Sequence, residues 1–187
     1  ISANFDLFDS KLQNSIFISQ SDINRDYYSK GSFSFGAEGK RELIRYQGNI
    51  ELNEFNKIAF GLESEESKVD ADNSTIDGSF LLYEFKPNNK IIISSGIRND
   101  DHEGFGSKTT RRISGTFKPF DNLIIRSSWG EGFKVPTIFQ STYFCCGATS
   151  ANSSIRPETS TSYDFGFELF FNEMKSNLSI TYFDQDI

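Results

Sequence analysis

Apolar and polar residues alternate along most of this 187-residue sequence. Tyr163, Phe165 and Phe167, for example, are separated by Asp164 and Gly166. A period of two residues gives an extended chain one apolar and one polar face, so it predicts β-strands. Ten segments follow the pattern: residues 1–7, 12–19, 44–52, 58–63, 81–86, 91–98, 112–118, 123–129, 163–171 and 178–182. No segment has a convincing helical period, so we expect an all-β protein.

The connections between these segments alternate in length. Short polar turns are predicted at residues 9–10, 54–56, 87–89, 119–121 and 172–173. Long polar connections, expected to be loops, fall strictly between them at about residues 20–40, 64–76, 99–110 and 130–161. In an up-and-down antiparallel sheet, alternate connections lie at opposite ends of the strands. Short turns at one end and long loops at the other favour a transmembrane β-barrel of the outer-membrane type.

The aromatic content supports the same arrangement. The chain has 20 phenylalanines, and several of them lie beside the short turns, where a barrel carries its aromatic girdle. These are Phe8, Phe55, Phe85, Phe117, Phe120, Phe170 and Phe171. An apolar content of 36% suffices for a barrel, because only every second strand residue contacts lipid. A spanning helix, which needs about 20 apolar residues, is excluded by a longest aliphatic run of Ile91-Ile92-Ile93.

Several other functional classes lack their usual residues. The net charge is −7, which disfavours nucleic-acid binding. The sequence has one histidine, His102, too few for a multi-histidine zinc site, and we expect it at a polar loop tip. No nucleophile–base pairing or G-x-S-x-G elbow is present, so we expect neither an enzyme nor a cofactor. A soluble β-sandwich binding module, whose strands also alternate, stays open as an alternative.

Two motifs near the end of the chain narrow these possibilities. The first is Gly130-Glu131-Gly132-Phe133-Lys134-Val135-Pro136, and the second runs from Ser153-Ser154-Ile155-Arg156-Pro157-Glu158 to Tyr163-Asp164-Phe165-Gly166. In order and spacing they resemble the G-x-G-F-K-x-P and N-P-x-L-x-P-E-x-S-x-x-Y-E-x-G patterns of TonB-dependent outer-membrane receptors. Ser153-Ser154 replaces Asn-Pro, and Asp164 replaces Glu. The matching motif positions are Gly130, Gly132, Phe133, Pro136, Pro157, Glu158, Tyr163 and Gly166.

The resemblance implies a barrel of about 22 strands around a plug. Residues 1–187 would supply about ten strands of one β-barrel domain, and the plug and the C-terminal strands would lie outside them. It further implies a bacterial outer-membrane location, contact with outer-membrane lipid, and TonB-energised uptake through the plug. The ligand would be a small molecule, an iron–siderophore or cobalamin. A passive porin or adhesin barrel is the alternative within the membrane.

Candidate ligand-binding residues follow from the same resemblance and lie in the connection around the two motifs. They are Phe133, Lys134, Thr137, Phe139, Gln140, Tyr143 and Arg156. A local ion pair between Arg156 and Glu158 is the simpler interpretation of those two residues. Cys145 and Cys146 are adjacent, and either a vicinal disulfide or bonding to another part of the protein is possible.

Charged residues also recur in the middle of strands on the polar face, as an aqueous lumen tolerates. They are expected to contact the plug, to pair across strands, or to do both. This set comprises Arg45, Glu51, Arg98, Arg112, Arg126 and Glu168.

Overall fold

The computed structural model describes residues 1–142, 154–171 and 175–187. It contains ten β-strands and one short helix, in the order β1 (Ser2–Leu7), β2 (Leu12–Ser29), β3 (Ser32–Asn53), β4 (Asn56–Val69), β5 (Asp72–Asn88), β6 (Ile91–His102), β7 (Gly106–Phe120), β8 (Leu123–Lys134), α1 (Ile138–Thr142), β9 (Glu158–Phe171) and β10 (Ser176–Asp186). Each of the ten strands coincides with one of the alternating segments, so the sequence-based prediction of strand positions is confirmed.

The strands form a single sheet in which sequence order equals spatial order, from β1 to β10. Every neighbouring pair is antiparallel. This is the up-and-down arrangement predicted from the sequence, and a one-sheet topology excludes the two-layered β-sandwich. Within the described part of the chain, no helix is long and apolar enough to cross a membrane.

The register separates the sheet into an apolar face and a polar face, because residues paired directly across antiparallel strands point to the same side. One row of the apolar face joins Ile50, Ile58 and Tyr83, and its continuation joins Ile113 to Trp129. The band of the apolar face between Ile44 and the short turns carries few charged residues. Asp77 and Asp101 lie in the row of Ile44 at its outer edge, Arg111 lies opposite Ile97 and pairs with Glu131 at 3.7 Å, and Asp184 lies opposite Tyr163. The large side chains of the band include Ile44, Tyr46, Ile50, Ile58, Phe60, Leu62, Leu81, Tyr83, Phe85, Ile93, Ile97, Ile113, Phe117, Ile125, Trp129, Phe165, Phe167 and Ile180.

These apolar side chains are exposed or half-buried, and none of them is packed into a core. Leu62 is 62% exposed, Ile113 50% and Ile180 52%. A continuous apolar face of this size is typical of a surface that contacts lipid or another protein.

Asn14 is a buried polar residue of this band, and its hydrogen-bonding groups are satisfied within the sheet. Its amide nitrogen donates to the carbonyl oxygens of Phe5 at 3.2 Å and Leu12 at 3.1 Å. Its amide oxygen accepts from the Tyr46 hydroxyl at 2.8 Å, and the residue is 4% exposed. Because these groups are paired internally, Asn14 presents no unmet hydrogen bond to an apolar solvent.

Most of the residues predicted as long loops are strand. The prediction is wrong for residues 20–40, 64–76 and 99–110, which form the outer ends of the hairpins β2–β3, β4–β5 and β6–β7. The turns between these strands are short, and Lys30, Gly31 and Asp70 have positive φ there. The error has a physical reason: a ribbon with two polar faces has extended geometry without the apolar alternation that predicts a strand.

The predicted short turns are confirmed at the other end of the sheet, except at residues 172–173, which lie outside the described residues. Pro87 and Pro119 lie just before two of these turns, where the ladders shift register between Phe85 and Asn88 and between Phe117 and Phe120. Proline has no N–H to donate to a ladder, so a strand accommodates it where the ladder is irregular.

Candidate functional site: an ion-paired polar face

The polar face carries a chain of ion pairs that crosses four strands. Glu63 on β4 accepts hydrogen bonds from Arg45 Nε on β3 and from Arg98 Nη2 on β6, both at 2.6 Å. Arg98 Nε also donates to Asp100 Oδ1 at 2.8 Å. The two carboxylates are largely buried beneath the arginines, with side-chain exposures of 13% for Glu63 and 10% for Asp100.

Gly78 allows the longest contact in this chain of ion pairs, the one between Arg98 and Glu63. It lies on β5, opposite Glu63 on β4 and opposite Asp100 on β6, so Arg98 must pass over it to reach Glu63. A Cβ atom at position 78 would come within 2.5 Å of Arg98 Nη2. Glycine therefore leaves the gap that the guanidinium occupies.

Other charges of this face are paired on neighbouring strands. Arg126 Nη2 donates to Glu168 Oε2 at 2.8 Å, and Lys57 Nζ donates to Glu51 Oε1 at 2.6 Å. These pairs, together with Arg45 and Arg98, confirm cross-strand pairing for five of the six charges predicted to lie on this face.

Arg41 lies beyond the apolar band, in the polar extension of β3. Its guanidinium donates to Glu65 on β4 at 2.5 Å. This hydrogen bond and the negative charge of Glu65 raise the pKa of Arg41 above its ordinary value. The ion-paired character of the polar face therefore continues past the apolar band toward the hairpin tips.

Two adjacent depressions lie in the middle of the polar face. One has a volume of about 390 Å³ and is lined in part by Glu51, Lys57 and Glu84. The other, of about 260 Å³, is lined in part by Phe80 and Arg98. Leu82 and Arg112 line both, so the two depressions share a boundary.

The segment after β8 turns back across the sheet. Thr137 caps α1: its hydroxyl accepts from the Gln140 amide N–H at 3.2 Å, and its own N–H donates to Gln140 Oε1 at 2.9 Å. This is a capping box, and the spacing Thr137-x-x-Gln140 was the sequence signal that we missed. The helix contacts β4 and β5, and Ile138 is 8% exposed.

The candidate ligand-binding residues separate into three groups. Thr137 and Gln140 complete the capping box. Phe133 is half-buried opposite Thr159 at the end of β8, whereas Phe139 on α1 is 61% exposed. Tyr143, with Cys145 and Cys146, lies outside the described residues.

The ion pair predicted between Arg156 and Glu158 does not form. Glu158 instead pairs with Lys134 at 3.4 Å, across the β8–β9 ladder. The register places Lys134 directly opposite Glu158, and Arg156 precedes the strand. Arg156 is exposed and forms no ion pair with any residue that the structure describes.

His102 lies beside the turn of the β6–β7 hairpin, at a tip as expected, but its side chain is buried there. The residue is 4% exposed at the end of β6. Its Nδ1 accepts from the Gly104 N–H at 3.0 Å, and its Nε2 lies 2.8 Å from the Ser74 hydroxyl. The imidazole therefore joins β5 to the β6–β7 turn.

An aromatic cluster in a segment expected to be a loop was also missed. Tyr27 stacks on Phe35 with ring centroids 4.3 Å apart, and Tyr28 meets Phe33 edge-on at 5.9 Å. Both pairs lie near the turn of β2–β3, and all four rings are more than 40% exposed. The density of aromatic residues between positions 27 and 35 was the available signal.

No metal centre is apparent: residues 1–142, 154–171 and 175–187 contain no group of three or more His, Cys, Asp or Glu side chains arranged to hold an ion.

Sequence comparisons relate the chain to known transporters. It is 29% identical over 113 residues to the vitamin B12 transporter BtuB of Vibrio vulnificus (strain YJ016), a match that covers 60% of this chain and 17% of the relative. It is 27% identical over 96 residues to BtuB of Vibrio cholerae (El Tor Inaba N16961), which covers 51% of this chain and 15% of the relative. The chain thus spans less than a fifth of these relatives.

Solved structures share the fold at low sequence identity. The siderophore receptor PirA from Acinetobacter baumannii has a TM-score of 0.77 at 16% identity, covering 98% of this chain and 33% of that one. A variant of the ferric enterobactin receptor PfeA from Pseudomonas aeruginosa, in complex with enterobactin, has a TM-score of 0.79 at 14% identity, covering 97% and 33%. The ten-stranded sheet therefore has the fold of part of a receptor barrel.

A family model described as "TonB dependent receptor-like, beta-barrel" matches residues 2–187. It covers both motifs and all ten strands. This chain belongs to the family of TonB-dependent receptor β-barrels.

Proposed function

We propose that these ten strands form part of the wall of an outer-membrane receptor that takes up an iron–siderophore or cobalamin with energy relayed by TonB. The observation that carries the proposal is the contrast between the two faces of one continuous sheet. The apolar band consists mainly of aliphatic and aromatic side chains, whereas the opposite face is lined with ion pairs. A barrel wall between lipid and an aqueous lumen requires this distribution.

The apolar face is the proposed contact with outer-membrane lipid. The band between Ile44 and the short turns has the exposure and composition of such a surface. The polar hairpin ends beyond the band would then project from the membrane on the extracellular side, because outer-membrane barrels carry short turns on the periplasmic side.

Ligand contact is assigned to the extracellular end of the polar face. Phe139 on α1 is exposed there, and Arg156 and Lys134 bring positive charge to the β8–β9 connection. Thr137, Gln140 and Tyr143 complete the proposed set. Phe133 shares the side of Trp129, on the apolar face, and is therefore not part of this set. An anionic iron chelate would be attracted by such cations, and an exposed ring offers a large apolar contact.

Energy would enter through a plug domain outside residues 1–187. The named relatives transport vitamin B12, and the named structural neighbours are siderophore receptors. They support the two ligand classes equally, so both belong to the proposal.

Growth of a deletion strain tests this function. The full-length gene is deleted, and growth is measured with cyanocobalamin or ferric enterobactin as the sole source of cobalamin or iron, with and without functional TonB. We expect growth on one ligand to require both the gene and TonB. Uptake that needs the gene but not TonB would contradict the proposal and favour a passive porin, and recovery of the full-length protein outside the membrane fraction would contradict a barrel.

A further inference from the structure

We propose that Arg112 is an anion-binding position on the polar face, and that it holds a carboxylate of the polypeptide that fills the barrel interior in the whole receptor. This inference rests on the proposed function, because it takes the polar face as the inner wall of a closed barrel. It distinguishes Arg112 from the paired charges of the same face and names the chemistry of its partner.

Arg112 differs from the other arginines of this face. Strands β3 to β8 are fully described and carry five arginines on the polar face. Four of them contact a carboxylate on the same or a neighbouring strand, within 2.8 Å: Arg41, Arg45, Arg98 and Arg126. Arg112 contacts no carboxylate among the residues that the structure describes, so its guanidinium is available to a partner from elsewhere.

Arg112 is flanked by glycines on both neighbouring strands, and the Leu82 side chain fills the space over Gly96 beside the Arg112 stem. Its neighbours in register are Gly96 on β6 and Gly130 on β8, neither of which has a side chain. The Arg112 stem lies over Gly96, where a Cβ atom would come within 3.2 Å of Arg112 Cγ. Arg112 also lines both central depressions, of about 390 and 260 Å³, so an incoming group can approach it from two directions.

The position of Arg112 favours a protein carboxylate over a ligand at the mouth. Its neighbour in sequence, Ile113, lies opposite Trp129 within the apolar band, so Arg112 lies at the height of that band. The Glu63–Arg98 pair lies nearer the hairpin tips. A guanidinium binds a carboxylate through two parallel hydrogen bonds, and an unpaired cation in a confined interior is costly.

The length of the relatives shows that a large part of such a protein lies outside this chain. The chain covers 17% of one BtuB sequence and 33% of the PirA structure. In a receptor of that length, a carboxylate outside residues 1–187 would be available to Arg112, whereas the carboxylates that pair within the sheet are already engaged.

Zero-length chemical coupling tests the assignment in the full-length receptor. Arg112→Lys keeps the positive charge and supplies an amine, which a water-soluble carbodiimide joins to a carboxylate in contact with it. Arg126→Lys is the matched control, because the partner at that position is known to be Glu168 at 2.8 Å. Both variants are coupled in membranes and digested, and the joined peptides are identified by mass spectrometry.

We expect position 126 to couple to Glu168, and position 112 to couple to an Asp or Glu outside residues 1–187. Replacing that residue by Asn or Gln should abolish the product at position 112 and leave the product at 126. Coupling of position 112 only to Glu84 or Asp164 would overturn the proposal, since the partner would then lie in the same sheet. Absence of any product at 112 while 126 couples would also overturn it.

A second version of the coupling experiment tests whether the carboxylate that contacts position 112 comes from a small-molecule ligand. The coupling is repeated with added citrate, a carboxylate-rich probe. A citrate adduct on position 112 in place of the protein product would overturn the assignment to the polypeptide. The coupled peptides are detected without any uptake by the receptor. The coupling experiment and the growth experiment can therefore succeed or fail independently.

Discussion

The two faces of the same strands are stabilised by different means. On the apolar face, side chains such as Phe60 and Tyr46 contact each other edge-on, with ring centroids 6.1 Å apart, and the polar Asn14 is fully hydrogen-bonded. On the polar face, long charged side chains reach across strands, and Arg98 passes over Gly78 to Glu63. The residues that each face carries therefore reflect its surroundings, apolar on one side and aqueous on the other. The same backbone register determines which residues are paired on both faces.

The largest expected effect comes from placing a charge on the apolar face. Ile113→Arg should destabilise the full-length protein in a bilayer by about 2–4 kcal/mol, because a charged side chain at the lipid midplane is poorly solvated. Urea unfolding in lipid vesicles measures it. Ser114→Arg is the matched control on the opposite face, with an expected change below about 1 kcal/mol. Equal losses at the two positions would contradict the assignment of the faces.

The second prediction concerns a glycine in close contact on the polar face. A Cβ atom at position 61 would lie 2.6 Å from the Tyr46 carbonyl oxygen and 2.6 Å from the Phe80 ring. Because the carbonyl belongs to the backbone, Gly61→Ala should cost about 1–3 kcal/mol of unfolding free energy. Gly115→Ala, where no atom lies within 4 Å, should leave stability unchanged or slightly raised. A stable Gly61→Ala protein would show that the β3–β4 contact is looser than described.

A smaller loss is expected when the shared carboxylate of the ion-pair chain is neutralised. Glu63→Gln leaves Arg45 and Arg98 facing one another without the anion that both contact, and should cost about 1–2 kcal/mol. Glu65→Gln removes the anion of Arg41 alone and should cost less. Urea unfolding compares the two variants. A larger loss of unfolding free energy for Glu65→Gln would contradict the central place of Glu63 in the chain of ion pairs.

The smallest effect is expected at the exposed pair between β8 and β9. Lys134 and Glu158 are 65% and 57% exposed, so Lys134→Met should change stability by no more than about 0.5 kcal/mol. A double-mutant cycle with Glu158→Gln measures the coupling. A coupling above about 1 kcal/mol would indicate that this pair is shielded from water in the whole protein.

The apolar face could be predicted from the sequence, and the polar face could be predicted only in composition. Ile113 and Trp129 reveal their common side because apolar residues recur at every second position. The sequence identifies Arg98 as a polar-face charge, but its partner depends on the pairing of β4 with β5 and of β5 with β6. Gly78 gains its role only once that register is fixed.

The hairpin ends and α1 were missed for different reasons. The outer part of β2–β3 carries polar residues on both faces, so the alternation that indicates a strand is weak there, and only the aromatic residues near its turn gave a signal. The helix is too short to show a period, and only the Thr137-x-x-Gln140 capping box marks it. At the hairpin end, backbone hydrogen bonds between the two strands determine the structure, whereas at α1 the capping box acts together with the burial of Ile138 against β4 and β5.

The outer part of the β2–β3 hairpin has a mechanical consequence. Between Arg25 and Ala37 its two strands pair only with each other, whereas β3 gains β4 as a second neighbour from Gly39 onward. This projecting part is attached to the sheet at one end only. Its two strands can therefore separate without breaking hydrogen bonds in the rest of the sheet. Its amide hydrogens should exchange with solvent much faster than those of β4 to β8, and a bound ligand that contacts its four aromatic rings would slow that exchange at the tip alone.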